Sequence, residues 1–367
     1  MNQTFCKFFN NGLVYNNDVS HFTVAPCCYF AVSDKILPDQ PVKLQFEQYK
    51  KQWLTADLNR HCRVCIDQEA SGITSYRQAA NDIIKTDTDK LTMLTVAVNK
   101  KCNLACPSCG PESSSFWYQE NLRNGVSQST DVIQLHQEDR EHTITEKFLE
   151  LLATQDLSDL EYIKFGGGEP LMNDTHLLIL DLVPNPSKVT IQYTSNFSIM
   201  PSAKTMDTWQ RFKLVKWVAS IDGVGDQFEF LRWPYSWSKL QEFKERAFAQ
   251  VPANVMFGVE HTLNPLNIFY YNQFQYWFDT EFAVNRLGDQ SDLNLHYATG
   301  IMGLDKTPNS VKHMIMDRYG DHPITRLLHQ MPLDQDTTEL VKYLDKIDAW
   351  RHSQWRKLFP EVEKYYV

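Results

Sequence analysis

The sequence has no basic run, no long apolar segment and no repeated or low-complexity tract. Its 36 Lys and Arg stand against 45 Asp and Glu, a formal net charge of −9. Sequence-independent nucleic-acid binding draws on clustered cations that displace counterions, so this balance argues against that class. It leaves room only for a local patch against a structured RNA. No stretch reaches the roughly 20 consecutive apolar residues that a membrane helix needs. The opening MNQTFCKFFNNG lacks a basic region followed by an apolar core, so it does not read as a secretory leader. The expectation is a cytosolic chain with no membrane partner, where thiols stay reduced and disulfides are rare.

What the sequence does hold is a normal core composition, with 43% hydrophobic and 13% aromatic residues over 367 positions. That length suits two domains, or one α/β domain with an extension. It also holds eight cysteines in a telling arrangement. Cys6 is alone, while Cys27 and Cys28 adjoin, Cys62 and Cys65 form C-x2-C, and Cys102, Cys106 and Cys109 form C-x3-C-x2-C. Clustered cytosolic cysteines usually bind metal. Structural zinc wants four ligands, often as two C-x2-C pairs, and no fourth cysteine lies near the triplet. A [4Fe–4S] cluster takes one thiolate per iron, so three thiolates leave one iron open to a ligand.

From about residue 92 the texture becomes regular. Segments 91–99, 160–168, 188–196, 215–223, 254–263 and 292–298 are short and rich in β-branched or aromatic residues, and read as strands. Amphipathic stretches such as 143–155, 202–212 and 236–250 separate them and read as helices. Alternating strand and helix predicts parallel strands with crossover helices, here six units of an open partial barrel. Functional groups then gather at the C-terminal ends of the strands. Beyond residue 305 the pattern is helical, and 336–359 fits one long amphipathic helix. The aromatic run 267–278 reads as a core-facing helix.

The triplet, placed after a first strand, resembles the motif of the radical S-adenosylmethionine (SAM) superfamily. Three further stretches in order strengthen the resemblance. KFGGGEPLM (164–172) is similar to the family's G-G-E-P loop, which implies that Gly167, Gly168 and Glu169 meet the amino group of SAM. YTSNFS (193–198) resembles a T-N-G strand end and places Ser195 and Asn196 by the ribose, with Phe197 where glycine is usual. WVASIDGVGDQFEFLRW (217–233) resembles the S-x-D-G…R stretch of peptide-modifying members. Ser220, Asp222 and Arg232 would be its SAM contacts, although Asp222 equally suits a helix cap. Ser108 replaces the aromatic that many relatives carry before the third cysteine, so Phe116 or Trp117 is the expected partner of the adenine.

The fold so implied is α/β, a partial (β/α)6 radical SAM barrel over 91–300. A cysteine-rich N-terminal domain over 1–90 precedes it and C-terminal helices over 301–367 follow. The implied cofactors are SAM and a [4Fe–4S] cluster on Cys102, Cys106 and Cys109. The N-terminal arrangement FC…APCC…W…HCRVC, with Trp53, resembles a SPASM/twitch module placed before the core instead of after it. That resemblance implies an auxiliary [4Fe–4S] cluster on Cys6, Cys27, Cys62 and Cys65, with Cys28 as the alternative to Cys27. Four-cysteine zinc is the structural alternative. The spare cysteine is either a buried small hydrophobe or a hydrogen-atom donor, and Cys28 is the candidate for the latter. Glu260 and His261 at the end of the 254–263 strand are candidate proton acceptors, while a histidine at a strand end is more often structural. Arg286, His296 and Tyr297 lie where they could reach the barrel mouth. The resemblance implies reductive cleavage of SAM and hydrogen abstraction from a peptide or protein residue, with a dehydrogenase or epimerase of a small molecule as the second reading, and a one-electron reductant such as flavodoxin or ferredoxin. RNA modification and a non-catalytic zinc-binding interaction protein are the alternatives from other classes.

Overall fold

The computed structural model describes residues 6–7, 12–17, 22–27, 30, 34–53, 61–72, 74–97, 99–136, 138–283, 292–330 and 336–366. Nine strands form one sheet among them: β1 (Gly12–Asn17), β2 (Phe22–Ala25), β3 (Asp34–Ile36), β4 (Met93–Ala97), β5 (Tyr162–Gly166), β6 (Thr190–Ser195), β7 (Leu214–Ser220), β8 (Val255–Leu263) and β9 (Asp292–Tyr297). Their spatial order is β3-β2-β1-β4-β5-β6-β7-β8-β9, and β4 to β9 run parallel. Each of the six strands expected from residue 92 onward is present. Parallel neighbours need crossovers, and helices such as Glu138–Ala153, Ala203–Trp209 and Trp237–Gln250 supply them.

The N-terminal segment behaves differently from its sequence. Gly12 to Asn16 pair in parallel with Met93 to Ala97, so β1 joins the core sheet directly, and β2 and β3 extend it antiparallel. The free edge of β4 offers β1 a ladder for its unpaired backbone groups. Helix α1 (Val42–Trp53) buries Val42, Phe46 and Trp53. Trp53 Nε1 donates to Asp34 at 2.6 Å and Tyr49 donates to the Lys35 carbonyl at 2.9 Å, so α1 holds the outermost strand. Two shorter helices follow, α2 (Arg63–Ala70) and α3 (Tyr76–Ile83).

Side chains alternate along a strand, so the sheet has two unlike faces. Ile163, Phe165, Ile191, Tyr193, Val215, Trp217 and Val259 are all buried and pack under the crossover helices. The opposite face carries Tyr162, Lys164, Gly166, Gln192, Thr194, Lys216, Ser220 and Glu260. Lys164 on β5 and Glu260 on β8 are three strands apart, about 14 Å in a flat sheet. Their Nζ and Oε1 atoms nevertheless lie 3.0 Å apart. The sheet therefore curls, with its polar face concave.

The expected long helix over 336–359 is interrupted. Helix Thr338–Arg351 stops at His352, which takes a left-handed φ of 53°. The Asp348 carboxylate accepts from Ser353 Oγ and Trp355 N, starting a separate turn at Trp355–Leu358. Among the described residues no helix is long and apolar enough to cross a membrane.

Candidate active site

The cysteine triplet sits in the loop between β4 and helix α4 (Ser115–Arg123), at the C-terminal edge of the sheet. The loop is held at many points. Cys102 N donates to Ser115 Oγ, and Cys109 N donates to the Cys106 carbonyl, closing a tight turn. Ser114 caps α4 and donates to the Leu104 carbonyl at 2.6 Å. Trp117 Nε1 donates to the Cys106 carbonyl at 2.8 Å. The C-terminal helix Thr338–Arg351 reaches the same loop: Arg351 donates to the Ala105 carbonyl at 2.8 Å, and Tyr343 donates to Pro107 at 2.8 Å. Arg351 is buried, pairs with Glu120 at 2.7 Å, and lies over the Trp117 ring.

Two N–H donors point at the sulfurs. Asn196 Nδ2 lies 3.8 Å from Cys102 Sγ, and Arg232 Nη1 lies 3.9 Å from Cys106 Sγ. The Cys106 thiol is lowered, first by the hydrogen bond from Cys109 and then, against burial, by the charges of Arg232 and Arg351. Burial raises Cys102 to about 11, and Cys109, the donor of that bond, is also held up. Donors aimed at sulfur and cations beside it suit thiolates bound to iron. Among the described residues no three His, Cys, Asp or Glu side chains converge at the spacing a single ion requires. By donor chemistry, three thiols in one loop with N–H donors at two of them fit a [4Fe–4S] cluster.

The glycine loop after β5 is bonded to the start of the cysteine loop. Gly168 N donates to the Asn99 carbonyl at 2.8 Å, and Glu169 N donates to the Lys101 carbonyl at 2.6 Å. A Cβ on Gly168 would sit 2.2 Å from the Lys101 carbonyl oxygen. Gly167 takes a φ of +100°, and its Cβ would fall 2.8 Å from the Asn99 carbonyl oxygen. The missing side chains thus let two backbones meet. Gly166 is different: a Cβ there would meet nothing within 4 Å, on the concave face. It is the glycine that leaves open space, and strand alternation from Tyr162 and Lys164 is the signal that could have found it.

Glu169 is fully buried and turns toward β6. It accepts from Ser195 Oγ at 3.0 Å, Asn196 N at 2.7 Å and Leu171 N at 3.1 Å. Burial still pushes its carboxyl up to about 7. Asn196 also donates to Asn103 Oδ1 at 2.7 Å, and Asn103 to Ser198 Oγ at 2.9 Å, joining the end of β6 to the cysteine loop. Phe197 occupies a left-handed conformation, φ 57°, that explains why glycine would be natural there. Its ring packs on Trp217 and Phe243, which holds the conformation in place.

Asp222 ion-pairs with Arg232 at 2.7 Å and accepts from Thr262 N at 2.8 Å, so it bridges β7 and β8 and caps no helix. Burial opposes the charge of Arg232, but Asp222, Cys106 and Cys109 more than offset it and keep the guanidinium protonated. Ser220 lies at the end of β7 beside Glu260. Trp117 lies beneath the cysteine loop and Phe116 lies under the Arg123 guanidinium.

Below this rim the concave face encloses a cavity of about 470 Å³. Its wall includes Tyr76, Tyr162, Lys164, Gln192, Lys216 and Glu260. Burial opposes ionisation of Glu260, yet Lys164 and His296 hold its carboxyl well below the usual range. His261, the next residue, points to the other face. It is buried, bonds the Ile221 carbonyl through Nδ1 at 2.9 Å, and stacks on Phe274. Burial lowers it to about 4. Only Glu260 of this pair faces the cavity. Along β6, Gln192 lines the cavity and Asn196 touches the cysteine loop, four residues or about 13 Å apart.

The N-terminal cysteines fall into two neighbourhoods around α3. Cys62 and Cys65 interact at the start of α2, near Arg77, and burial raises both thiols. Cys6 packs with Ala80, Ile84, Met93 and Tyr162, and Cys27 lies against the same cluster. Phe30 stacks on His61 at 4.4 Å, which brings the Cys27 and Cys62 segments together. Cys28 and Arg286 lie outside the described residues. Tyr297 stands near Cys65 and Asp67, and His296 near Glu260.

No protein-family model matches the chain, and no curated protein matches it. Among solved structures it is similar to anSMEcpe with bound AdoMet, at 14% identity and a TM-score of 0.39, covering 63% of this chain and 59% of that one. It is similar to SuiB of Streptococcus suis bound to S-adenosylmethionine, at 10% identity and a TM-score of 0.38, covering 96% of this chain and 74% of that one. A third likeness is TYW1 with a lysine-pyruvate adduct bound, at 11% identity and a TM-score of 0.30, covering 62% and 70%. The likeness to anSMEcpe spans about three fifths of that protein's length.

Proposed function

We propose that this chain is a radical SAM enzyme, built on a partial (β/α)6 barrel, that modifies a peptide or protein residue. The observation that carries the reading is the loop of Cys102, Cys106 and Cys109, bonded through its backbone to the Gly167–Gly168–Glu169 loop, with N–H donors at two of its sulfurs. Cys102, Cys106 and Cys109 would hold the cluster. When bound, a [4Fe–4S] cluster carrying SAM at its open iron supplies a 5′-deoxyadenosyl radical that takes a hydrogen atom from an unreactive C–H.

The protein's own residues bind, orient and shield. Asn196 and Arg232 donate to Cys102 and Cys106 and limit their negative charge. Glu169 ties the glycine loop to β6, and Gly166 keeps the concave face open. The cavity below offers a substrate polar groups and an ionised Glu260, a candidate proton acceptor. Its size suits one residue of a peptide or a small metabolite, so a dehydrogenase or epimerase of a small molecule is the second reading. Cys6, Cys27, Cys62 and Cys65 are proposed auxiliary [4Fe–4S] ligands, supported by the stacking of Phe30 on His61. Residues 1–90, 91–300 and 301–367 serve as auxiliary, catalytic and bracing parts of a cytosolic protein fed by a flavodoxin- or ferredoxin-type reductant.

The test is anaerobic purification with iron and sulfide counts and a visible spectrum, followed by incubation with SAM and dithionite. The wild type should release 5′-deoxyadenosine, and Cys102→Ala, Cys106→Ala or Cys109→Ala should abolish it. Iron-free protein, or loaded protein that never releases 5′-deoxyadenosine, overturns the reading.

A further inference from the structure

Glu260 has one oxygen engaged and one open. Lys164 Nζ at 3.0 Å, Thr194 Oγ1 at 3.2 Å and Gln192 Nε2 at 3.4 Å all donate to Oε1, and His296 Nε2 lies 3.7 Å from the same atom. No described residue donates to Oε2, and the side chain keeps 11% of its surface open in the wall of the cavity. The carboxylate is anchored through one oxygen, and among the described residues the other has no donor.

We propose that Glu260 Oε2 receives the cationic nitrogen of the ligand, the ammonium or guanidinium of a lysine- or arginine-like group. This names the ligand class of the cavity in the reading above and rests on that reading for the cavity's role. The physical case has four parts. An ionised carboxylate removed from water is best satisfied by a charge-assisted N–H donor. Tyr76 and Tyr162 line the same cavity, and the Tyr76 ring already carries a cation, Lys164 Nζ, 5.6 Å from its centre, so this wall accommodates positive charge beside Glu260. Asp82 adds a second carboxylate to the lining. The chain's net charge of −9 favours encounter with cations.

The wall also holds two lysines, and they could instead attract an anion. Lys164 is already committed to Glu260. Lys216 pairs in register with Met256, four residues before Glu260 on β8 and about 13 Å along the strand. The Glu260 end is thus the cation end of the cavity, and Lys216 marks the other.

The experiment uses full-length, anaerobically reconstituted protein and three matched probes, n-butylammonium, n-butanol and n-butyrate, followed by ligand-observed NMR titration. We expect n-butylammonium to bind about tenfold more tightly than either of the others, and Glu260→Gln to remove about that factor. Equal binding of n-butanol, preference for n-butyrate, absence of n-butylammonium binding, or an unchanged Glu260→Gln variant each overturns the proposal. If Glu260→Gln fails to fold, the wild-type series decides alone. Binding requires no SAM cleavage, so iron-free protein still answers this question. Protein that cleaves SAM yet ignores n-butylammonium overturns this proposal and leaves the enzyme reading standing.

Discussion

Gly168→Ala should damage the site through backbone geometry alone. The added Cβ would sit 2.2 Å from the Lys101 carbonyl oxygen, 2.8 Å from the Lys101 carbonyl carbon and 2.9 Å from that of Lys100. All three are backbone atoms, so no flexible side chain can swing aside. Restoring ordinary contact requires the loops to part by about 1 Å, and the bonds Gly168 N to Asn99 and Glu169 N to Lys101 lengthen accordingly. Overpacking costs about 1–3 kcal/mol and two weakened hydrogen bonds about 0.5–1.5 kcal/mol each, together about 2–6 kcal/mol. Displacing the Cys102 backbone by about 1 Å should also cut SAM cleavage by about 100-fold. Urea unfolding, iron content and 5′-deoxyadenosine release read the three effects. Gly166→Ala is the control, since its Cβ meets nothing within 4 Å and should leave stability within about 1 kcal/mol of wild type. Gly168→Ala protein with wild-type stability and iron content would refute the claim that these glycines serve a backbone contact.

Three further outcomes are expected. Glu120→Gln leaves the buried Arg351 charge without its partner and should cost about 3–5 kcal/mol in urea unfolding; a change under about 1 kcal/mol would mean the C-terminal helix does not brace the cysteine loop. His176 and His261 are both lowered by burial from 6.5 to about 4. Each contributes stability that is fully present above pH 6.5 and lost as pH falls towards 4, on the order of 2–3 kcal/mol apiece. His261→Gln should remove its share of that slope, and an unchanged slope would contradict the assignment. Cys62→Ala should retain some SAM cleavage but lose substrate product, and normal product from that variant would count against an auxiliary cluster.

How much of this was legible in the sequence depends on the range of the interaction. The six strands of 92–298 and the cysteine motif are local patterns, set by two-residue periodicity and by spacing along a single loop. The opposite orientations of Glu260 and His261 follow from the same alternation, so that distinction was available beforehand. The break at His352 was not, because it depends on Asp348 turning back to cap the next turn. The cysteine-rich N-terminal segment reads as separate because its strands are short, and only the free edge of β4 explains why they join the sheet.

By itself the sequence determined which chemistry this protein could hold: three adjacent thiols, a glycine-rich turn and an ordered set of parallel strands. Tertiary structure alone decided what those groups face. Curling brings Lys164 within 3.0 Å of Glu260 across two intervening strands, and close backbone approach turns Gly167 and Gly168 toward the cysteine loop. Contacts between residues about 70 to 250 positions apart depend on sheet curvature and packing, and local spacing carries no record of either.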